Sequence, residues 1–335
     1  MLNNPLVSFV ICEHNTPVEY FREAIKSVLS QTYKNIEVVL VDDKTNIDLD
    51  SEELLKDKRI KTIHNETNMG LAASRNVGIA NSNGKYIAIM DTDDICEPNR
   101  IAEQVKYMEK HKGVICAGSY VQLFGERTIK QKYSINSTDY YRCRLFFGNS
   151  PTLTNPSVVI RKEALEKYNI KYDESLFSSE DYMMWVRLSE IGKFHIIKKV
   201  LLNYRIRKGQ MSQVYRCNGL GPNGIKIRNY QLKKIGFNES DASILYKDYL
   251  LPDVDLVEYS NLLNKICNFN KKSKYYNPRL FKKCINYQIK QKIYSSKFKD
   301  IYSTASAKLK VYILWYELIR PFNIFIRFKN YLMSR

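Results

Sequence analysis

The sequence predicts an α/β fold, a mainly parallel sheet sandwiched by helices, carrying a mostly helical and basic C-terminal extension. Three observations predict it. From residue 6 to about 125, short β-rich apolar runs alternate with helical periodicity, as βαβ units require. Three of those runs end in acids, at Glu13, at Asp42 and Asp43, and at Asp91, Asp93 and Asp94. Ligands of open α/β sheets bind just beyond the carboxyl ends of strands. Beyond about residue 215, a Gly/Pro/Asn cluster at 218–224 marks a linker into helical periodicity rich in Lys, Tyr, Asn and Ile.

Taken in order, strands are expected at 6–11, 36–41, 60–64, 85–90 and 114–116. Helices are expected at 18–30, where Phe21, Ile25, Val28 and Leu29 share a face, and at 72–80 and 100–109. Residues 126–210 are less regular, with a strand at 157–160, a helix through 182–191 and strand-like segments at 194–197 and 200–204. The expected division is a domain over 1–215, whose halves are about 1–125 and 126–215, followed by a basic, aromatic-rich region over 216–335.

Composition removes several classes. The seven cysteines have no paired spacing and only four histidines accompany them, which suggests neither a disulfide framework nor a zinc site. No Gly-x-Gly-x-x-Gly follows the first strand and no P-loop pattern occurs. No signal-peptide pattern opens the chain, so a cytoplasmic protein is expected. The net charge of +18 sits almost entirely beyond residue 210.

The run Tyr86, Ile87, Ala88, Ile89, Met90 delivers Asp91, Thr92, Asp93 and Asp94 to the sheet edge. Three close carboxylates repel one another unless hydrated or neutralised, and a hard cation such as Mg²⁺ or Mn²⁺ would neutralise them. Such cations commonly take one or two protein carboxylates and complete their shell with substrate phosphates, which points to a nucleoside-diphosphate substrate. A solvated turn capped by Asp94 or Asn99 is the alternative for this segment alone. Ser179, Glu180 and Asp181 read as a helix start, a capping residue followed by acids in the first turn.

Together these elements resemble family 2 glycosyltransferases of the GT-A fold over about residues 5–212. The resemblance implies transfer of a sugar from a nucleotide diphosphate with inversion at the anomeric carbon. It implies that Glu13 and Asn15 lie in a nucleotide-contacting loop and that Asp43 hydrogen-bonds the base. Asn68, Gly70, Arg75, Asn76 and Gly78 match the family's Asn-x-Gly and Arg-Asn-x-Gly pattern, with Arg75 toward the nucleotide. Asp91, Thr92 and Asp93 become the Asp-x-Asp element, Asp93 the direct ligand of Mn²⁺ or Mg²⁺, Asp91 beside it toward the ribose or sugar, and Asp94 supporting. Glu180 and Asp181 become the Glu-Asp pair, with Asp181 removing a proton from the acceptor hydroxyl. Where the family commonly shows Tyr-Arg-x-His, this chain reads Tyr204, Arg205, Ile206, Arg207. Arg207 cannot ligate a cation, so a phosphate partner is expected for it, with Arg205 or Lys208 assisting.

The expected partners are a nucleoside-diphosphate sugar, a UDP-sugar first among them, and a glycan or lipid-linked acceptor in lipopolysaccharide, capsule or other surface-polysaccharide assembly. Nucleic acid is not expected. Residues 300–335 interleave cations with Trp, Tyr and Phe, which suits either peripheral contact with the anionic inner face of a membrane or packing on the catalytic domain. The competing functional classes are a degenerate scaffold binding membrane or polyanion, and a nucleotidyltransferase.

Overall fold

The computed structural model describes residues 4–132, 137–147, 153–207, 222–238, 245 and 256–295. Two compact units are present, Met1–Arg228 and Asn229–Arg335.

The first unit is built on a nine-stranded sheet of order β3-β2-β1-β4-β8-β6-β9-β5, with β7 paired to β6. Strands β1 (Val7–Glu13), β2 (Ile36–Asp42), β3 (Ile60–His64) and β4 (Tyr86–Asp91) are mutually parallel, joined by helices α1 (Val18–Leu29) and α2 (Leu71–Ala80). Strands β1, β2 and β4 run to the acid that follows the apolar core, so Glu13, Asp42 and Asp91 are their last residues. Strands β5 (Ile95–Cys96), β6 (Val114–Gly125), β7 (Ile129–Gln131), β8 (Val159–Arg161) and β9 (Lys193–Ile206) form the rest, with α3 (Arg100–Lys110), α4 (Thr138–Leu145), α5 (Lys162–Lys167) and α6 (Glu180–Ile191) between them. Strand β8 runs antiparallel between β4 and β6, which makes the sheet mixed.

Both faces of the parallel half are buried, which is why its strands read as continuous apolar runs. Val7, Phe9 and Ile11 of β1 point to one face and pack with Phe21, Ile25 and Val28 of α1 and with Ile101, Val105 and Met108 of α3. The spacing of these helical residues places them on one side of each helix, and burying each large side chain contributes about 1.5–3 kcal/mol. Helix α2 covers the other face. It approaches closely because residue 78 is glycine: a Cβ there would lie 2.5 Å from Val10 Cγ1.

Two expectations need correction. Strand β6 extends nine residues beyond 114–116 because it pairs along β9, whose partnership is remote in sequence. The segments at 194–197 and 200–204 are one strand, β9, interrupted where Ser119 pairs Ile197 and Tyr120 pairs Val200. Lys198 and Lys199 lie in that bulge and are exposed, which breaks the apolar alternation a strand would show.

A fully buried arginine ties the halves of the sheet. Arg100 donates to the carbonyls of Ile89 at 2.9 Å and Val158 at 3.2 Å, and to Gln104 Oε1 at 3.1 Å.

Helix α7 (Pro222–Lys234) crosses the division between the units. In the second unit, α8 (Leu256–Ser273) and α9 (Pro278–Ser295) form a hairpin. Asn270 accepts from Tyr276 N–H and donates back to Tyr276 O, and the Tyr276 ring stacks on Phe281 with centroids 4.8 Å apart. Leu263, Ile266, Cys267 and Ile285 are buried there, so this stretch of the basic region has a packed apolar face. Among the described residues no helix is long and apolar enough to cross a membrane. Lys208, the start of the 218–224 cluster and the 300–335 tail lie outside the described residues.

Candidate active site

Parallel pairing sets the first three acids side by side, with Glu13 opposite Asp42 and Cys12 opposite Asp91. The β1–α1 turn then folds over them. Glu13 is fully buried, where its Oε1 accepts from Thr16 N at 2.8 Å and Thr45 Oγ1 at 3.2 Å while Oε2 has no partner. Burial raises its pKa despite those bonds. Glu13 was expected to face a nucleotide, but its carboxylate is turned inward to hold the turn. The exposed edge is formed by His14, Asn15 and Asn68. His14 Nδ1 lies 2.9 Å from the Asp43 carbonyl and so donates to it, leaving Nε2 to accept from Asn68 Nδ2 at 3.0 Å. Asn15 takes a left-handed φ of 57° and its Oδ1 accepts from Asn46 N at 2.8 Å.

Asp43 is 3% exposed and holds the turn that leads into α2. Its carboxylate accepts from Met69 N at 2.7 Å, Gly70 N at 2.9 Å and Asn65 Nδ2 at 2.9 Å. Burial presses its pKa up, yet these bonds and Ser74 more than offset that and hold it below the usual range. The expected hydrogen bond to a base therefore has a competitor, because the carboxylate already anchors the start of α2. Gly70 supplies the φ of +84° that the chain needs to enter the helix.

The centre of the site is Arg75, on the inner side of α2 and 4% exposed. One guanidinium nitrogen donates to Asp91 Oδ1 at 3.0 Å and another to Glu180 Oε1 at 3.0 Å. The Asn155 amide oxygen, turned toward Arg75, accepts from both nitrogens at 3.0 and 3.1 Å while its amide nitrogen faces Tyr172 Oη at 2.9 Å. The Tyr172 ring lies 5.3 Å beneath the guanidinium. Burial opposes the charge on Arg75, but Asp91, Tyr172 and Glu180 hold it firmly protonated. Expected to reach a nucleotide, Arg75 instead joins the end of β4 to the start of α6.

Asp181 follows Glu180 in the first turn of α6. Burial first, and the neighbouring Glu180 second, push its carboxyl up to about 7, against the opposing pull of Arg75. Ser179 precedes the helix but its hydroxyl makes no capping bond, so the expected cap is absent. Beside Glu180 an open cleft runs between the first turn of α2 and the 174–180 segment, lined by Met69, Ala72, Ala73, Phe177 and Ser178 among others. Ser178 takes a φ of 60°, a strained value for a residue with a side chain.

Just beyond β4, the Thr92 and Thr16 hydroxyls form a hydrogen bond of 2.7 Å. Burial and the Asp91 charge raise the pKa of Asp93, and burial with the Asp93 and Asp91 charges raises that of Asp94 well above the usual range. Neither Asp94 nor Asn99 makes the expected cap: Asp94 Oδ1 accepts from Arg205 N at 2.8 Å, and Asn99 makes no capping bond. Arg205 was expected near a phosphate, but it grips this turn. Its Nε donates to Asp93 O at 2.8 Å, its Nη2 reaches Glu23, and its plane sits 4.0 Å from the Tyr20 centroid and 4.5 Å from that of Phe124. Arg207, two residues on, donates from Nε to Asp93 Oδ2 at 3.3 Å.

Among the described residues, no group of three or more His, Cys, Asp and Glu side chains is gathered to hold a metal ion. The donor set at Asp91 and Asp93 nevertheless suits a hard cation that completes its shell with phosphates, and the buried Asp94 Oδ2 has no hydrogen-bond partner. Sequence reasoning missed Asn155 and Tyr172, and it placed His14 in the loop after β1 without a role of its own. Their contacts at the site reach 29 to 97 residues along the chain, from His14 to Asp43 and from Asn155 and Tyr172 to Arg75.

A model of glycosyl transferase family 2 matches residues 8–169. An uncharacterized glycosyltransferase of Methanocaldococcus jannaschii is 37% identical over 212 residues, spanning 61% of this chain and 72% of that protein. One from Haemophilus influenzae is 32% identical, spanning 71% of this chain and 78% of that protein. Among solved structures, residues 1–349 of S. aureus TarS in complex with UDP-GlcNAc superpose with a TM-score of 0.58 at 18% identity, covering 82% of each chain. The same portion of TarS with UDP gives 0.53 at 17% identity, covering 85% of this chain and 90% of that one.

Proposed function

The chain belongs to glycosyl transferase family 2 and has the GT-A fold, and from that premise we propose that it moves a sugar from a nucleoside-diphosphate sugar to a hydroxyl of a glycan or lipid-linked acceptor. Inversion at the anomeric carbon follows from a single displacement. Asp181 takes the proton from the acceptor hydroxyl as its oxygen bonds to the anomeric carbon, and the bond to the diphosphate breaks with its electron pair leaving on the nucleoside diphosphate. A sugar hydroxyl is a poor nucleophile at neutral pH, and a positioned base contributes about 10²–10⁴ in rate. A carboxyl titrating near 7 is matched to that task.

Asp93 and Asp91 would hold Mn²⁺ or Mg²⁺ with the donor's diphosphate, and the cation would supply counter-charge to the leaving group. His14, Asn15 and Asn68, the exposed polar edge, serve the base and ribose, with Asp43 and Glu13 setting their backbone. The acceptor enters over the cleft beside Glu180. One observation carries this reading: the Arg75 guanidinium binds Asp91 and Glu180 at once, which supports a donor side and an acceptor side that meet across one buried cation.

A UDP-sugar is the first donor to test, since the similar TarS structures were solved with UDP-GlcNAc and UDP. The experiment is thermal unfolding with UDP-, GDP- and dTDP-sugars, each with and without Mn²⁺. A ligand at 100 times its Kd stabilises by about 2.7 kcal/mol. No shift with any of them would favour the scaffold reading. Assembly of a surface polysaccharide is the proposed setting, and the cationic, aromatic sequence of 300–335 supports contact with an anionic membrane. Deleting that tail should then abolish sedimentation with anionic vesicles.

A further inference from the structure

Arg205, near the end of β9, and Arg207, one residue beyond the strand, both reach the acid turn after β4. Their holds on it differ. Arg205 is fixed by Asp93 O, Glu23 and two aromatic rings, and its side chain is 12% exposed. Arg207 makes one contact to Asp93, from Nε to Oδ2 at 3.3 Å, and its side chain is 38% exposed. A guanidinium forks naturally onto two oxygens, so a single long bond leaves most of its donors unused.

Asp93 is itself only 13% exposed, and the charges of Asp91 and Asp94 lie close by. The cation that faces this carboxylate is Arg207. A divalent ion cannot take the same oxygen while the guanidinium stays, because the two positive charges would repel at contact distance.

We propose that Arg207 is a tethered counter-cation that occupies Asp93 until a donor arrives, then passes to the donor's diphosphate and yields Asp93 to the metal. This rests on the glycosyl-transfer reading above and goes beyond it, because it makes metal and nucleotide binding mutually dependent in this chain. The free protein holds a divalent ion weakly, each of the two ligands strengthens the other by the same factor, and removal of the Arg207 charge uncouples them.

The test is Mn²⁺ titration of the full chain, followed by the paramagnetic resonance of free Mn²⁺, with and without UDP. In the wild type, UDP tightens Mn²⁺ binding. In Arg207→Gln, Mn²⁺ binding without UDP strengthens by about fivefold or more, the gain on adding UDP shrinks correspondingly, and UDP affinity in chelator falls. Arg207→Lys, which keeps the charge, stays close to wild type without UDP. Asp93→Asn removes the tight Mn²⁺ site in either background. Equal Mn²⁺ affinity of wild type and Arg207→Gln without UDP would overturn the proposal while leaving glycosyl transfer standing. Absence of binding of UDP, GDP and dTDP alike to the wild type would overturn the functional reading itself.

Discussion

Just beyond β4, Asp93 faces an arginine that is held by one bond and is 38% exposed, whereas at the start of α6 no cation among the described residues pairs with Asp181. The guanidinium that acts on Asp181, that of Arg75, is bound by Asp91 and Glu180. The two carboxylates therefore reach their working states differently. Asp93 faces a positive charge held by a single bond, which suits a group that must hand its oxygen to a ligand. Asp181 is left with burial and a like charge beside it, which lifts its pKa to about 7 and suits a group that must accept a proton. Strain at Ser178 lies on the Asp181 side, and the aromatic clamp on Arg205 lies on the Asp93 side.

The contrast is most directly broken by Asp181→Asn. Transfer should fall by about 10²–10⁴ while stabilisation by UDP is retained, and retained turnover would take the proton-abstracting role away from this residue. Next in size is Arg75→Met, which strands Asp91 and Glu180 as unpaired acids in a buried place and should cost about 3–5 kcal/mol of stability. Denaturant unfolding measures it. If the variant is as stable as the parent, the two ends of the site are not joined through Arg75. Gly78→Ala presses a methyl against Val10 and should cost about 1–3 kcal/mol with nucleotide affinity unchanged, since it disturbs packing behind the site only. The smallest effect sharpens the comparison. Because Asp181 acts deprotonated and its pKa is raised, transfer at limiting substrate should rise with pH through about 7 and level off above it. A rate already level at pH 5 would place the base elsewhere.

The parallel half of the fold was legible because β1 to β4 carry their apolar runs and acids contiguously, and because α1 shows its buried face at helical spacing. Strand β6 was legible only for its first three residues, since beyond them Ser119, Tyr120 and Gln122 interrupt the apolar run and only β9, about eighty residues away, explains their extension. At the site, residue types were readable and their orientation was not. Glu13, Asp43 and Arg75 stand where the motifs suggested, but each faces inward, because a buried polar group must find partners and here finds them in neighbouring loops. The division of labour between Arg205 and Arg207 was equally hidden. Tyr20 and Phe124, which fix one of the pair and not the other, lie far from both in sequence.

The hold of Asp43 on the entry to α2 bears on how this chain folds. Helix α2 is ten residues long, begins after a glycine, contains another, and has no side-chain cap of its own. Segments that short do not nucleate as isolated helices in water. The N–H groups of Met69 and Gly70, which lead into α2, are held by a carboxylate 26 and 27 residues upstream, so the second strand must already be in register before the helix gains its anchor. In refolding, mutations at Asp43 should slow the forward rate, while those late in α2 should mainly speed unwinding.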